Sequence, residues 1–270
     1  MTRTQPRTEA SDVSVRKERA TDTLMVMSVE KAFRVLTALG PQNPTLSLSQ
    51  IAVASGMDMS TAQRFAHTLT KLGYLRKDPD TKRFELTPKT LQLGYQFLRS
   101  NRLVERATPY LQHLSQETEE TVNLTLLDDT EIIFVARFVS RHMLNTDVVI
   151  GTRMPAYCTA PGVAMLSQLQ EKEALSVLKK SDLKVITRST TWRLSDLQAK
   201  LKTSAEQGFA TAFSEFYQGD GSVAAAILSP EGRPEGAVNV SVSLSRYTPE
   251  DVVKRFAPLV VDCGRAMSRA

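Results

Sequence analysis

LSQIAVASGMDMSTAQRFAHTLTKLGYLRKDPDTKRFEL, residues 48–86, decides how the rest of the chain is read. Its first segment, Leu48–Ala54, reads as a short helix that Ser55-Gly56 breaks, because glycine enters the left-handed conformation that ends helices. Asp58 or Ser60 suits the N-cap of a second helix running from Ser60 to Leu72. On that helix Ala62, Phe65, Leu69 and Leu72 recur at spacings of three and four and share one face. Ser60, Thr61, Gln63, Arg64, His67 and Lys71 form the opposite face, with donors suited to base edges in a major groove. Gly73 stops the helix. Tyr74-Leu75-Arg76 and Arg83-Phe84-Glu85-Leu86 then read as paired strands around the Pro-, Asp- and Lys-rich turn 77–82. An ordinary helical hairpin with a solvated polar face is the competing reading. The turn glycine, the polar outer face and the basic wing coincide, which favours a winged helix-turn-helix that reads DNA.

Composition permits this. A chain of 270 residues has room for two modest domains, and 41% hydrophobic with 23% charged residues is the balance of a soluble globular protein. No apolar run approaches a membrane span. The polar start of the chain lacks the apolar core of a secretory signal, and Cys158 and Cys263 are too few for a disulfide framework, so the cytoplasm is the expected compartment. The net charge of +5 is uneven: residues 1–107 carry 17 Lys and Arg against 10 Asp and Glu, while the remainder is slightly acidic. A basic first part suits a polyanion partner.

Working outward from residues 48–86, residues 1–22 are polar and aperiodic and read as a disordered tail, with Arg16, Lys17 and Arg19 as weak phosphate attractors. Ser28 to Leu39 reads as a helix with Val29, Ala32, Phe33, Leu36 and Leu39 inward, completing a DNA-binding domain over 23–87. Thr87-Pro88 caps and starts a linker helix over 88–102. Its apolar residues exceed what one small domain covers, which points to a second subunit; intramolecular packing competes.

Residues 103–270 read as a second, α+β domain. A helix over Leu103–Glu119, with Val104, Ala107, Leu111 and Leu114 inward, precedes strands at Thr121–Leu127, Glu131–Phe138 and Asp147–Ile150. Residues 151–155 read as a loop, and 156–168 as a helix start interrupted by Pro161-Gly162. Helices follow at Glu171–Lys179 and Ser195–Gln207. Strands follow at Phe209–Phe213, Val223–Ser229 and Ala237–Ser243, with residues 230–236 as the last turn. Thr248-Pro249-Glu250-Asp251 opens a final helix. The result is a mostly antiparallel sheet of about six strands flanked by helices.

Enzyme chemistry finds little support. There is no GxSxG elbow and no GxxxxGK phosphate loop. His67, His113 and His142 lie far apart, none at metal-ligand spacing, so neither metal nor cofactor is expected. Gly219-Asp220-Gly221-Ser222 opens a strand rather than a helix and is a poor nucleotide fingerprint, and Cys158 reads as a small core residue.

Residues 23–270 resemble the IclR family of bacterial transcription regulators. SQIAVASGMDMSTAQRFAHTLTKLGYL and IGTRMPAYCTAPGVAML, residues 150–166, carry the likeness, and the form Pro155 to Thr159 is most similar to the branch controlling catabolism of hydroxylated aromatic acids such as protocatechuate and 4-hydroxybenzoate. The resemblance implies a winged-helix domain, a linker helix and a GAF/PAS-like effector domain, assembled as homodimers through the DNA-binding half and often homotetramers through the other. Double-stranded DNA with a palindromic operator and a small organic acid are the implied partners. Gln63 and Arg64 suit adenine and guanine edges, Ser60, Thr61 and His67 suit bases or phosphates, and Arg76, Lys77, Lys82 and Arg83 on the wing suit phosphate or the minor groove. Ala160, Pro161, Phe213, Ser222, Asn239 and Ser241 match pocket positions of the family, and Arg137 matches one that faces a ligand carboxylate in the aromatic-acid branch. Tyr157 and Thr159 offer further hydroxyls. The family usually has a small residue followed by Gly-Lys where this chain has Pro161-Gly162-Val163, a departure that bears on the ligand. A non-aromatic acid of glyoxylate type, and a ligand-independent DNA-binding assembly protein, are the competing functions.

Overall fold

The computed structural model describes residues 24–142 and 148–269. The expected tail, residues 1–22, and Asp147 of the expected third strand lie outside them. The chain forms two compact units, divided between Gly94 and Tyr95.

In the first unit, helices α1 (Met27–Thr37), α2 (Leu48–Ser55) and α3 (Met59–Lys71) precede strands β1 (Leu75–Lys77) and β2 (Phe84–Leu86). Ser47 and Gln50 form a reciprocal capping box at the start of α2. Gly56 ends that helix at φ +64°, where a side chain would be strained. Asp58, rather than Ser60, then caps α3, accepting from the Thr61 backbone N–H at 2.8 Å. Ala62 and Leu69 face inward as expected, but so does Ala66, while Leu72 is exposed. The first helix is turned relative to expectation. Val35 is its fully buried residue, and Val29 and Phe33, expected inward, are each 52% exposed. An apolar residue on a helix marks a contact face without saying whether this chain or another covers it. A 3-10 turn at Pro88–Thr90, capped by Thr87, leads into α4 (Leu91–Ser100). Leu91, Leu93, Tyr95 and Phe97 on α4 are all exposed.

In the second unit, α5 (Arg102–Thr118) precedes β3 (Thr121–Asp128) and β4 (Glu131–Phe138). The third strand is β5, Arg153–Pro155, not 147–150; it pairs with Glu131–Ile133 where a loop was expected. Pro161 does not interrupt a helix but sits in the first turn of one, α6 (Ala160–Leu166), where its missing N–H costs no hydrogen bond. Helices α7 (Glu171–Lys180) and α8 (Leu194–Gln207) are followed by β6 (Ala210–Phe213), β7 (Asp220–Leu228), β8 (Pro234–Ser243) and the long α9 (Pro249–Arg269). The expected turn over 230–236 is shorter, because β8 already begins at Pro234.

The six strands form one antiparallel sheet in the order β5-β4-β3-β8-β7-β6. Alternation divides its residues between two faces. Val122, Leu124, Val223, Ala225, Ile227, Val238 and Val240 share a core with Leu103, Ala107 and Leu111 of α5 and Val252, Phe256 and Val260 of α9. On the other face α6 packs through Ala160, Val163 and Ala164 against Ala210, Ala212 and Ala224. These small residues let α6 lie close. Gly162 makes a close approach of another kind: a Cβ there would stand 2.2 Å from the carbonyl oxygen of Ala156, in the turn that precedes α6.

Candidate functional site

Two places gather polar side chains. The first is the outer face of α3 with the wing. Gln63, Arg64 and His67 are exposed on it. Ser60 and Thr61 stand at its start but are already engaged, since both hydroxyls donate to the Asp58 carboxylate at 2.7 Å. Those bonds, with the Ser60 hydroxyl leading, hold the Asp58 carboxyl well below its ordinary range. On the wing, Arg76 pairs with Glu85 across the strands, and the Lys77 ammonium lies 5.4 Å from the Phe84 ring centre. Lys82, at φ +60°, donates to the Pro79 carbonyl at the turn.

Arg83 departs from the expected outward role. Its guanidinium donates to the Thr45 hydroxyl and carbonyl, both at 2.9 Å, and to Gln50 at 3.0 Å. Gln50 is also half of the capping box, so Arg83 fastens the wing to the start of α2. A wing is small, and a planar fork with several donors holds it in a way that two three-residue strands cannot.

The second place is a pocket on the α6 side of the large sheet, with about 710 Å³ of empty space, its open mouth included. Of the residues proposed for an effector, Arg137, Thr159, Ala160, Pro161, Ser222, Asn239 and Ser241 line it. Tyr157 does not: it is buried in the neighbouring core and its hydroxyl donates to the Lys184 carbonyl at 2.9 Å. Phe213 does not line it either, and packs with the α5–α9 core. Ile132, Phe134, Met154, Phe216 and Tyr217 supply apolar and aromatic walls, which the sequence reading left out.

Strand register builds the polar floor. Arg137 stands opposite Asn123, Asn123 opposite Asn239, and Ser222 opposite Ser241, which in turn faces Thr121. Directly opposed residues share a face, so these side chains rise together. Arg137 donates to Asn123 at 2.8 Å, Asn123 to Asn239 at 3.3 Å, and Asn239 to both Ser222 and Ser241 at 2.9 Å. The two serine oxygens are thus acceptors within the floor. Each keeps a proton to give, and among the described residues neither gives it to a protein acceptor.

Arg137 owes its place to a β-bulge. Leu124 pairs with Ala136 and Thr125 with Phe134, leaving Val135 as an extra residue on β4. The extra residue shifts the alternation, so Ile132, Phe134 and Arg137 all reach the pocket while Val135 enters the opposite core.

Charge in the pocket is mixed. Glu215, in the wall, is buried; it pairs with Lys200 and accepts from the Thr191 N–H at 3.1 Å. Asp220, at the start of β7, also lines the pocket, and burial pushes its carboxyl up to about 7 against the opposing pull of Arg137. Burial lowers the Arg137 guanidinium in turn, with Asp220 resisting. Sequence reasoning saw Asp220 only as part of a glycine-rich turn; its position two residues before Ser222 on a strand was the available signal. Cys158 lines the pocket with its thiol pushed by burial up to about 12, which suits a core residue and not a nucleophile. Among the described residues no cluster of His, Cys, Asp or Glu is arranged to hold a metal ion, and no helix is long and apolar enough to cross a membrane.

Comparison with known proteins matches residues 95–269 to the family described as bacterial transcriptional regulator IclR C-terminal, and residues 28–79 to the IclR helix-turn-helix domain. The Pca regulon regulatory protein of Pseudomonas putida is 30% identical over 239 residues, covering 88% of this chain and 81% of that one. A solved structure from Rhodococcus sp. RHA1 superposes with a TM-score of 0.79 at 33% identity, covering 91% of this chain and 98% of that one. A crystal structure of an IclR homologue of Microbacterium hydrocarbonoxydans in complex with 4-hydroxybenzoate shares the fold, with a TM-score of 0.73 at 20% identity over 90% of this chain and 99% of its own.

Proposed function

The chain belongs to the IclR family of bacterial transcriptional regulators, and on that premise we propose that it senses a small aromatic acid in the pocket of its second unit and adjusts transcription accordingly. The family makes it a DNA-binding regulator with an effector domain, not an enzyme. One observation carries the choice of ligand class. A directed row of donors, from Arg137 through Asn123 and Asn239 to the Ser222 and Ser241 hydroxyls, lies beneath walls containing Phe134, Phe216 and Tyr217. Donors to a carboxylate beside apolar surface for a ring are what an aromatic acid requires. The relative that acts on a Pca regulon and the homologue holding 4-hydroxybenzoate support the same class.

On the DNA side, Gln63, Arg64 and His67 meet base edges, and Ser60 and Thr61 orient the helix start through Asp58 while offering phosphate contacts. Arg76, Lys77 and Lys82 approach the backbone from the wing, and Arg83 sets where the wing stands. The exposed Val29, Phe33, Leu91, Leu93, Tyr95 and Phe97 support assembly as a homodimer, which places two recognition helices on a palindromic operator in the cytoplasm. The segment 88–102 links the DNA-binding domain, residues 23–87, to the effector domain, residues 103–270, and carries the response as a shift between dimer geometries.

The test is binding of the full-length protein to its own upstream DNA, followed by fluorescence anisotropy at fixed salt, with and without a panel of aromatic acids. Specific binding changed by one acid, and no longer changed by it in Arg137→Ala, is the expected result. Specific binding indifferent to every acid overturns the sensor assignment and favours an assembly role for the second unit.

A further inference from the structure

The pocket has two unlike ends. Arg137 rises from β4 and Asp220 from β7, with β3 and β8 between them. Three strand spacings separate them across the sheet by roughly 14 Å. The row through Arg137, Asn123 and Asn239 meets β7 at Ala224, four residues beyond Asp220, which adds about 13 Å along the strands. The Arg137 guanidinium closes part of the distance across by leaning over Asn123. Asn239, Ser241 and Ser222 occupy the floor between. The backbone of Asp220 is fixed: its N–H donates to the Tyr217 carbonyl at 3.2 Å, its carbonyl accepts from Ser214 at 2.7 Å, and it pairs with Ser243 on β8. Among the described residues no hydrogen bond or ion pair reaches its carboxylate; Arg137 acts on it only through its field.

Asp220 is half-buried in the pocket wall and its carboxylate takes no hydrogen bond from the described residues, so a molecule filling the pocket displaces its water and must supply a donor in return. The floor provides donors at the Arg137 end and in the middle. Asp220 provides an acceptor at the other. The geometry points to Asp220 as a specificity-determining residue: it accepts a hydrogen bond from a donating substituent at the end of the effector opposite the effector's own carboxylate. A hydroxylated aromatic acid is therefore taken in preference to the unsubstituted acid. Asp220 also fixes orientation, because an effector entering the other way round would set two carboxylates against each other. This inference rests on the aromatic-acid reading of the pocket. It adds which residue reads the second substituent, and why a lone carboxylate group on a ring is not enough.

The physical precedent is general. A site built to hydrogen-bond a hydroxyl rejects an analogue that lacks it more strongly than an apolar slot rejects a missing methylene, because the site's own polar group is left bare. Calorimetric titration of the full-length protein with benzoate, 4-hydroxybenzoate and 4-methoxybenzoate tests it. The methoxy acid keeps the size and the oxygen but cannot donate. The wild-type protein is expected to bind 4-hydroxybenzoate at least ~10-fold tighter than either of the others. Asp220→Ala is expected to bring the three within about threefold of one another, through tighter binding of benzoate as well as weaker binding of the hydroxy acid. Asp220→Asn, nearly the same shape, keeps the test decisive if the Ala variant does not fold, and should shrink the preference severalfold. A preference unchanged in the variants overturns the role of Asp220. Equal wild-type affinity for benzoate and 4-hydroxybenzoate overturns it too, while leaving the aromatic-acid reading in place. If none of the three acids binds the wild-type protein, the aromatic reading fails and this inference fails with it.

Discussion

The outer face of α3 and the floor of the pocket are both rows of polar side chains, but they hold them under opposite conditions. On α3, Gln63, Arg64 and His67 stand in water, and no protein partner is needed to keep them there. In the floor, Asn123 and Asn239 are almost wholly buried, and each depends on its neighbours to replace the water it lost. The first kind of row can change its residues at little cost to folding, so it is suited to a variable DNA sequence. The second is coupled, so that altering one member leaves others unsatisfied.

The largest effect should fall on the coupled row. Asn239→Ala removes the bonds to Asn123, Ser222 and Ser241 together and should cost about 2–3 kcal/mol of stability, measured by urea denaturation. A cost within about 0.5 kcal/mol would mean that the floor is no more coupled than a surface, and the contrast would collapse. Arg64→Ala supplies the other half. It should leave stability within about 0.5 kcal/mol of wild type, yet weaken binding to the operator by about 1–3 kcal/mol, roughly fivefold to 150-fold, in anisotropy titrations at fixed salt. A variant that lost stability and kept its DNA affinity would reverse the assignment of the two rows.

The smallest effect concerns Asp220. Its folded-state carboxyl, pushed up to about 7, holds a proton more tightly than in the unfolded chain, where the ordinary value is 3.8. The group therefore opposes folding least below that ordinary value, and stability is lost as pH rises towards and through about 7. Asp220→Asn removes this dependence. Taken whole, the shift corresponds to about 4 kcal/mol. Solvent reaching this half-buried group screens it, so the variant's stability relative to wild type should grow between about pH 4 and about pH 7 by only on the order of 1–2 kcal/mol, then level off, in urea titrations of the unliganded protein. Arg137, Glu215 with Lys200, Tyr217 and His142 surround the site in both proteins, and only the Asp220 carboxyl differs between them. A gap that does not change with pH would show that Asp220 is better solvated than its place in the wall implies.

The same contrast explains what could be read in advance. A helix face in water announces itself by period, and the α3 residues were found that way; so were the capping of the linker at Thr87-Pro88 and the inward row of α5. Period alone cannot say who covers an apolar face. That is why Val29 and Phe33 were placed inward although Val35 is the buried residue of α1. The pocket was harder, because its residues meet only after the strands pair. Arg137, Ser222, Asn239 and Ser241 came from family likeness, not from spacing. Phe213 shows the limit of that likeness, and Tyr157, chosen for its hydroxyl, the limit of chemistry read without orientation, since each sits on a pocket-forming segment but turns into a core. Asp220 was overlooked because a carboxylate between two glycines looks like a turn until the strand is seen to start there. Arg83 was assigned to DNA from its charge, whereas its partners, Thr45 and Gln50, lie some thirty-odd positions earlier in the chain.

The extra residue Val135 on β4 has an implication for how such a protein changes over time. Strand parity is all-or-none, and at its present length the strand relies on the bulge to set it for Arg137. Were the same residues to pair without the bulge, Ala136 would stand on the pocket side and the arginine would be driven into the apolar layer beneath α5 and α9. Loss of the extra residue itself would instead leave Arg137 opposite Asn123 and still facing the pocket. The lining of this strand is therefore tolerant of a one-codon loss at the very point where, in a regular strand, every later side chain would be inverted.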